Sequence, residues 1–310
     1  MAGRFAPSPT SDLHVGNLRT ALLGWVFARR AGLRFLVRIE DLDQQRVAAA
    51  PAVARRQLAD LAAIGLDWNP PVVRQSERLG LYQQAIAGLD VYECYCTRRE
   101  IAEAAQAPHD GPMPQGAYPG TCAQLSETER VVRRRERPAA LRVRAHGASF
   151  AVHDRFVGEV SGIVDDFVVA RGDGTPAYNL AVVVDDGMQG VGQVVRGDDL
   201  LSSSPRQGWL ARQLGHPVPE YVHVGLAVNT DGVRLAKRDG AVTLADLAQL
   251  GHDAGTVRGF LLASLGLDPR LDNDQLLQLP DAALGAAVRQ WRVEARADYW
   301  DALANRMSTT

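Results

Sequence analysis

Along the first third of the chain, short unbroken apolar runs alternate with stretches in which apolar positions recur every three or four residues. Arg4-Phe5-Ala6 reads as a short buried strand and Pro7 to Asp12 as a rigid turn. From Val15 to Ala31 the residues Leu18, Ala21, Leu22, Trp25, Val26 and Ala28 form the buried stripe of a helix that Gly32 ends. Arg34 to Ile39 is strand-like, Ala48 to Gly65 a second helix and Leu79 to Gly88 a third. This βαβα order predicts the opening of a doubly wound parallel sheet in an α/β protein. A strand that empties through a polar turn into a helix presents free N–H groups to an anion. The second strand delivers Glu40-Asp41-Leu42-Asp43 at its C-terminal edge, where such sheets place ligand-binding groups.

The pattern breaks near Val91. Cys94-Tyr95-Cys96 leads into a Pro/Gly-rich loop (Pro108 to Gly116) that returns through Tyr118-Pro119-Gly120-Thr121-Cys122, which predicts an inserted, metal-stapled module. Short β-like runs follow at Ala140 to Arg144, Phe150 to Val152 and Val164 to Ala170. The α/β pattern resumes near Tyr178, with strands at Val191 to Arg196 and Tyr221 to Val228 around a helix from Leu200 to Leu214. After Leu244 the expectation is purely helical, with Gly259 to Leu265 and Asp281 to Trp291 as the better-patterned segments.

Composition adds two points. The 310 residues suit about two domains, and 46% hydrophobic, 23% charged and a net charge of -2 describe a globular chain rather than a strongly basic nucleic-acid binder. No signal-like or bilayer-length apolar stretch is present, so the expected compartment is the cytoplasm, without a membrane partner. Among 34 basic residues Lys237 is the single lysine. A bias toward arginine explains the scarcity, and the survivor marks a place where a compact ammonium serves and a planar fork does not. All three cysteines fall between residues 94 and 122, an odd and clustered set that points to metal rather than to disulfides. On chemistry alone, Tyr118 and His109 compete to be the fourth ligand.

Four motifs in order (Phe5 to Thr10 as FAPSPT, His14 to Asn17 as HVGN, Arg38 to Asp41 as RIED, and Arg234 to Gly240 as LAKRDG following Arg234) resemble the class I aminoacyl-tRNA synthetases of the glutamyl type. HVGN is similar to that family's HIGH motif and the Arg234 to Arg238 segment to its KMSKS loop, with Arg234 and Ala236 departing from the pattern and Ser11 standing where glycine is usual. Only seventy or so residues follow Gly240, so the resemblance is to truncated glutamyl paralogues without an anticodon-binding domain.

The resemblance implies the following expectations. The fold is a Rossmann-type doubly wound parallel sheet, with residues 1–88 and 166–244 as the halves of the catalytic domain, 89–165 as an inserted zinc-binding module and 245–310 as a small helical region. The activity is tRNA-independent activation of L-glutamate by ATP with Mg²⁺, then transfer to queuosine in the tRNA(Asp) anticodon. A minimal synthetase that charges a tRNA 3′ end, or a non-catalytic paralogue, are the competing readings. His14, Gly16, Asn17 and Lys237 would meet ATP, with His14, Asn17 and Lys237 catalytic. Glutamate would be held by Arg4, Ser8, Glu40, Tyr178 and Arg196, either Arg4 or Arg196 taking its side-chain carboxylate. Cys94, Cys96, Tyr118 and Cys122 would bind structural zinc, Tyr118 being favoured by the resemblance. The run Arg130, Arg133, Arg134, Arg135 and Arg137 is either a phosphate-tracking surface or a solvated helix face partnered by glutamates.

Overall fold

The computed structural model describes residues 1–43, 50–104, 117–235 and 242–308. The chain divides into two units, residues 1–74, 193–201 and 222–310 forming the first and residues 75–192 and 202–221 the second.

In the first unit, strand β1 (Ala2–Phe5) leads through the turn to helix α1 (Val15–Arg30), then to β2 (Arg34–Ile39), α2 (Ala50–Ala63) and β3 (Val73–Arg74). The pairs β1/β2 and β2/β3 are parallel, with Arg4 opposite Leu36 and Arg38 opposite Val73. With β9 (Val191–Gly197) and β10 (Glu220–Val224) the strand order is β3-β2-β1-β9-β10. The order therefore reverses beside β1, and the carboxyl ends of strands at such a point border a ligand crevice. Helix α1 is almost wholly buried, Leu18, Leu22, Leu23 and Trp25 included, so it serves as the core of this unit.

Past β10 the expected single strand to Val228 divides, leaving β11 (Ala227–Val228) separate. Gly225 accounts for the break: its N–H donates to Ala287 O at 2.9 Å, its carbonyl accepts from Arg19 Nη1 at 2.6 Å, and the backbone of Arg289 lies where a Cβ would be. The purely helical expectation for the C-terminal region fails at β12 (Trp291–Arg292), which pairs in parallel with β11. Residues Asp281–Val288 form 3-10 turns rather than an α-helix running to Trp291, because that segment is recruited by the edge of β11, with Trp291 N–H on Leu226 O at 2.9 Å. Helices α8 (Leu244–Gln249), α9 (Ala254–Ala263), α10 (Asn273–Gln278) and α11 (Ala297–Ser308) complete the unit. Trp300 is fully buried against Phe260 and Trp291, at ring-centroid separations of 5.3 and 6.1 Å.

In the second unit, α3 (Leu79–Ala87) precedes an antiparallel sheet in the order β4-β5-β8, made of β4 (Val91–Cys94), β5 (Ala140–Val143) and β8 (Val168–Ala170). Helix α4 (Arg98–Ala104) lies between Cys96 and Cys122 in sequence, and α5 (Glu127–Glu136) follows Cys122. Strands β6 (Ala148–Asp154) and β7 (Gly158–Val164) form a hairpin longer than the sequence pattern indicates. The expected run from Val164 to Ala170 is split, because the Asp165 and Asp166 carboxylates turn inward to accept the backbone N–H groups of Tyr118 and Ala145 at 2.9 and 2.8 Å. Helix α6 (Tyr178–Met188) follows; its Asp185 is buried under Gln75, Arg78 and Tyr82 at 3.0, 2.6 and 2.9 Å. Helix α7 spans Ser204–Gln213, starting at Ser204 with Pro205 in its first turn rather than at Leu200, with 3-10 turns over Asp198–Ser203 before it.

Candidate active site

The first turn of α1 is the best-defined part of the site. His14 occupies its N-cap, and the Nδ1 atom accepts from the N–H groups of Gly16 and Asn17 at 3.1 and 3.3 Å. In return Asn17 Oδ1 accepts from the His14 N–H at 3.3 Å, a reciprocal box that satisfies otherwise open helix-end donors. A histidine whose Nδ1 accepts carries its proton on Nε2. Burial, and secondarily the charge of Arg234, pushes this imidazole down to about 4, so it is neutral at physiological pH. With Oδ1 of Asn17 used in the cap, its amide NH₂ is the side chain's donor group. A Cβ added at Gly16 would lie 2.8 Å from Ala227 Cβ and 3.0 Å from the His14 ring, so glycine lets this turn pack closely.

The turn before α1 takes Ser11 without left-handed backbone, since His146 is the one non-glycine with positive φ among the described residues. Serine in place of the family's glycine therefore costs nothing here. Ser8 is exposed on this turn, and Pro7 O accepts from the Glu40 N–H at 2.9 Å, which joins the carboxyl ends of β1 and β2. Arg4 is buried and donates from Nη1 to Val195 O at 3.3 Å. Glu40 lies 3.4 Å from Arg38 Nη2, in an ion pair whose side chains are 10% and 0% exposed, so this is a buried pair rather than a surface one. Arg196 is also buried; Nε donates to His223 Nε2 at 3.0 Å and Nη2 to Leu200 O at 3.2 Å. His223 is a functional candidate that the sequence patterns above do not pick out. Its signal is a histidine within the apolar run of β10, where a buried polar group needs a partner.

Lys237 lies outside the described residues, as do Ala236 and His109. The segments on either side of residues 236–241 both meet the α1 cap. Arg234 forms an ion pair with Asp199 and lowers the His14 pKa through its charge. On the other side, Val15 N–H donates to Val242 O at 2.9 Å and His14 bridges Thr243. Thus Arg4, Ser8, His14, Gly16, Asn17, Glu40 and Arg196 share the first unit, whereas Tyr178, 45% exposed at the start of α6, belongs to the second.

The family model for the catalytic domain of class I tRNA synthetases (E and Q) matches residues 1–269. The chain belongs to this family. It is 60% identical over 289 residues to a glutamyl-Q tRNA(Asp) synthetase of Nocardia farcinica (strain IFM 10152), which covers 91% of this chain and 90% of that protein. A protein of the same name from Cutibacterium acnes (strain DSM 16379 / KPA171202) is 55% identical over 276 residues, covering 89% and 79%. The crystal structure of a glutamate tRNA ligase from Elizabethkingia meningosepticum CCUG26117 in complex with its amino acid superposes with a TM-score of 0.75 at 24% identity, covering 98% of this chain and 69% of that one. That likeness establishes the α/β class I synthetase fold.

The second unit of this class I synthetase holds a separate donor cluster. Cys94, Cys96 and Cys122 bring their sulfur atoms within 4.8 Å of one another. Tyr118 Oη stands 3.5 Å from Cys94 Sγ and 3.6 Å from Cys96 Sγ, while accepting from the Cys122 N–H at 2.8 Å. Burial pushes the Cys96 thiol up to about 12, and burial likewise opposes ionisation of Cys94, where hydrogen bonds from Tyr118 and Arg142 outweigh it and bring the thiol below its usual range. Three sulfurs and one oxygen converging in this way can hold a metal ion. The neighbouring arginine run is largely committed to glutamates: Arg134 binds Glu93 and Glu127, Arg130 pairs with Glu127 and Arg133 with Glu136, as the solvated-face reading expects.

Proposed function

We propose that this chain activates L-glutamate with ATP, without requiring tRNA, and transfers the glutamyl group to queuosine in the anticodon of tRNA(Asp). The reading is carried by identity across 91% of this chain and 90% of the Nocardia protein. In activation, a carboxylate oxygen of glutamate attacks the α-phosphorus of ATP. The new P–O bond forms as the α–β bridging bond breaks, and pyrophosphate leaves with its electron pair.

The protein's task is to position the reactants and compensate charge. Neutral His14 donates through Nε2–H to a phosphate oxygen, and the Asn17 amide supplies a second neutral donor. Gly16 keeps the backbone bare where adenine approaches, and Lys237 brings a mobile ammonium to the departing pyrophosphate beside Mg²⁺. Glutamate presents two carboxylates and an ammonium; on the first unit Arg4 and Arg196 answer the first and Glu40 the second, with Ser8 as a further polar contact, while a glutamate role for Tyr178 rests on the resemblance alone. The fork of Arg196, held by His223, favours a carboxylate over glutamine's amide. Zinc on Cys94, Cys96, Tyr118 and Cys122 would close a four-ligand shell and staple an inserted module over residues 89–165, leaving the chemistry to the catalytic halves, 1–88 and 166–244. A cytoplasmic location suits these substrates.

The test is incubation with ATP, Mg²⁺, labelled glutamate and tRNA with or without queuosine. Label that stays with the anticodon fragment after ribonuclease cleavage, and is absent from tRNA lacking queuosine, is the expected result. Label on the 3′ end of tRNA(Glu) would overturn the proposal in favour of a minimal charging synthetase.

A further inference from the structure

Helix α2 reaches the turn before α1 through one buried side chain. Gln57 is 1% exposed, and its Nε2 donates to two backbone carbonyls, Ser11 O at 2.7 Å and Ser8 O at 3.1 Å. The opposite atom of the same amide, Oε1, is buried with no hydrogen-bond partner among the described residues. An orphaned buried acceptor is unusual in a folded protein. Reversing the amide would direct Oε1 at two carbonyl oxygens, so the two acceptors on the turn fix its orientation and the orphan is the consequence. Around it, Arg56 Nε holds Asp12 Oδ1 at 2.7 Å, and the Leu13 N–H donates to Asp60. The turn is thereby gripped at Ser8, Ser11, Asp12 and Leu13 from one helix, while Glu40 N–H holds Pro7 O from β2.

We infer that Gln57 is a positioning residue for activation, fixing the spacing between the Ser8 end of the turn, which faces glutamate, and the His14 end, which faces ATP. This rests on the function proposed above. Gln57 touches neither substrate. It acts by tying both ends of a four-residue span to one amide, so the two half-sites move together or not at all. A side chain of equal length without the amide leaves two carbonyls unpaired and frees the turn. Asparagine, shorter by one methylene, cannot span both carbonyls from the same backbone position.

The experiment compares Gln57→Met, Gln57→Asn and the exposed control Arg55→Ala in glutamate-dependent ATP–pyrophosphate exchange, with hydrogen–deuterium exchange of residues 6–14 measured on the same samples. The expected result for Gln57→Met is a rise in KM for glutamate and for ATP by a similar factor of about tenfold, since displacement of a positioned group by a fraction of an ångström is felt at both ends. Faster amide exchange in the turn accompanies it, and Gln57→Asn falls between wild type and Gln57→Met. Arg55→Ala matches wild type in both measurements. A loss of thermal stability with both KM values and the turn's amide exchange unchanged would show Gln57 to be merely structural and would overturn the inference, as would a change in one KM alone. Absence of exchange activity in the wild-type protein would reject the functional reading instead; the turn's amide exchange then still decides whether Gln57 anchors it.

Discussion

A histidine at a helix N-terminus would ordinarily be a poor partner for the positive end of the helix dipole if it were protonated. His14 avoids the conflict by remaining neutral: burial and Arg234 hold its pKa at about 4, and Nδ1 serves the helix while Nε2 carries the proton. Nitrogen-15 NMR is expected to show His14 as the Nε2–H tautomer without titration between pH 8 and 5.5. Because the folded pKa lies below the ordinary 6.5, the unfolded chain binds the extra proton first, so the contribution of this residue to stability falls as pH drops from 6.5 toward 4. At Lys237, Lys237→Arg is expected to slow ATP–pyrophosphate exchange by about 10²-fold or more, the scale for losing a group that meets transition-state charge. Unchanged exchange would remove the significance given to the lone lysine. His223→Leu withdraws the acceptor of Arg196 Nε. A lost buried partner of a charged group is worth about 1.5–3 kcal/mol, so KM for glutamate should rise roughly tenfold or more while KM for ATP stays. Equal rises in both constants would contradict the assignment of Arg196 to glutamate.

At the scale of elements, α2 holds the turn before α1 through more than Gln57. Its Asp60 accepts from the Leu13 N–H, and burial, aided by the charge of Asp12, lifts its pKa to about 6. A carboxyl raised in the fold is stabilised as the protonated form, so folding stability contributed here declines as pH climbs from 4 through 6. Asp60→Asn keeps the acceptor and removes the charge. Its melting temperature should equal that of wild type only below the ordinary carboxyl pKa of 3.8 and exceed it increasingly up to pH 8, a gap that thermal denaturation across pH would read directly. Elements were legible in the sequence where one local period dominated: α1 from Val15 and β2 from Arg34 to Ile39 match the apolar pattern to within a residue. They were not legible where a distant group interrupted the pattern. Asp165 and Asp166 end β7 because they serve the backbones of Tyr118 and Ala145, and Gly225 splits β10 from β11 because Arg19 and Ala287 claim its two polar groups.

For the whole molecule, two ties have separable consequences. In the first unit Arg19 is 1% exposed and spans Gly225 O, Ser264 Oγ and Arg289 O at 2.6, 3.1 and 3.1 Å, at a burial cost that lowers even its guanidinium to about 10. It fastens α1 to the segments on which β11, β12 and α9 depend. In the second unit Tyr92, Cys94, Tyr95, Tyr118 and Cys122 form a small buried cluster around the donor set. If the four donors hold zinc, chelation should release about one metal per chain and raise hydrogen exchange in residues 91–96 and 117–125, leaving the α1 cap protected; no metal in protein purified without chelator would remove the site. A fall in protection confined to α1 would contradict the placement of the cluster in the second unit.

The amino-acid sequence by itself determined the α/β opening, the turn before α1, the cysteine cluster and the family motifs, because each depends on residues close along the chain or on a short spacing that chemistry restricts. Tertiary structure alone decided that His14 is neutral and caps its own helix with Asn17, that His223 holds Arg196, that Gln57 ties Ser8 to Ser11, and that Trp291 joins a strand instead of extending a helix. Each of those outcomes is set by burial and by hydrogen-bond partners remote in sequence. Desolvation makes an unpaired polar group costly only once the fold has removed water from it, and that removal is not written in any local pattern.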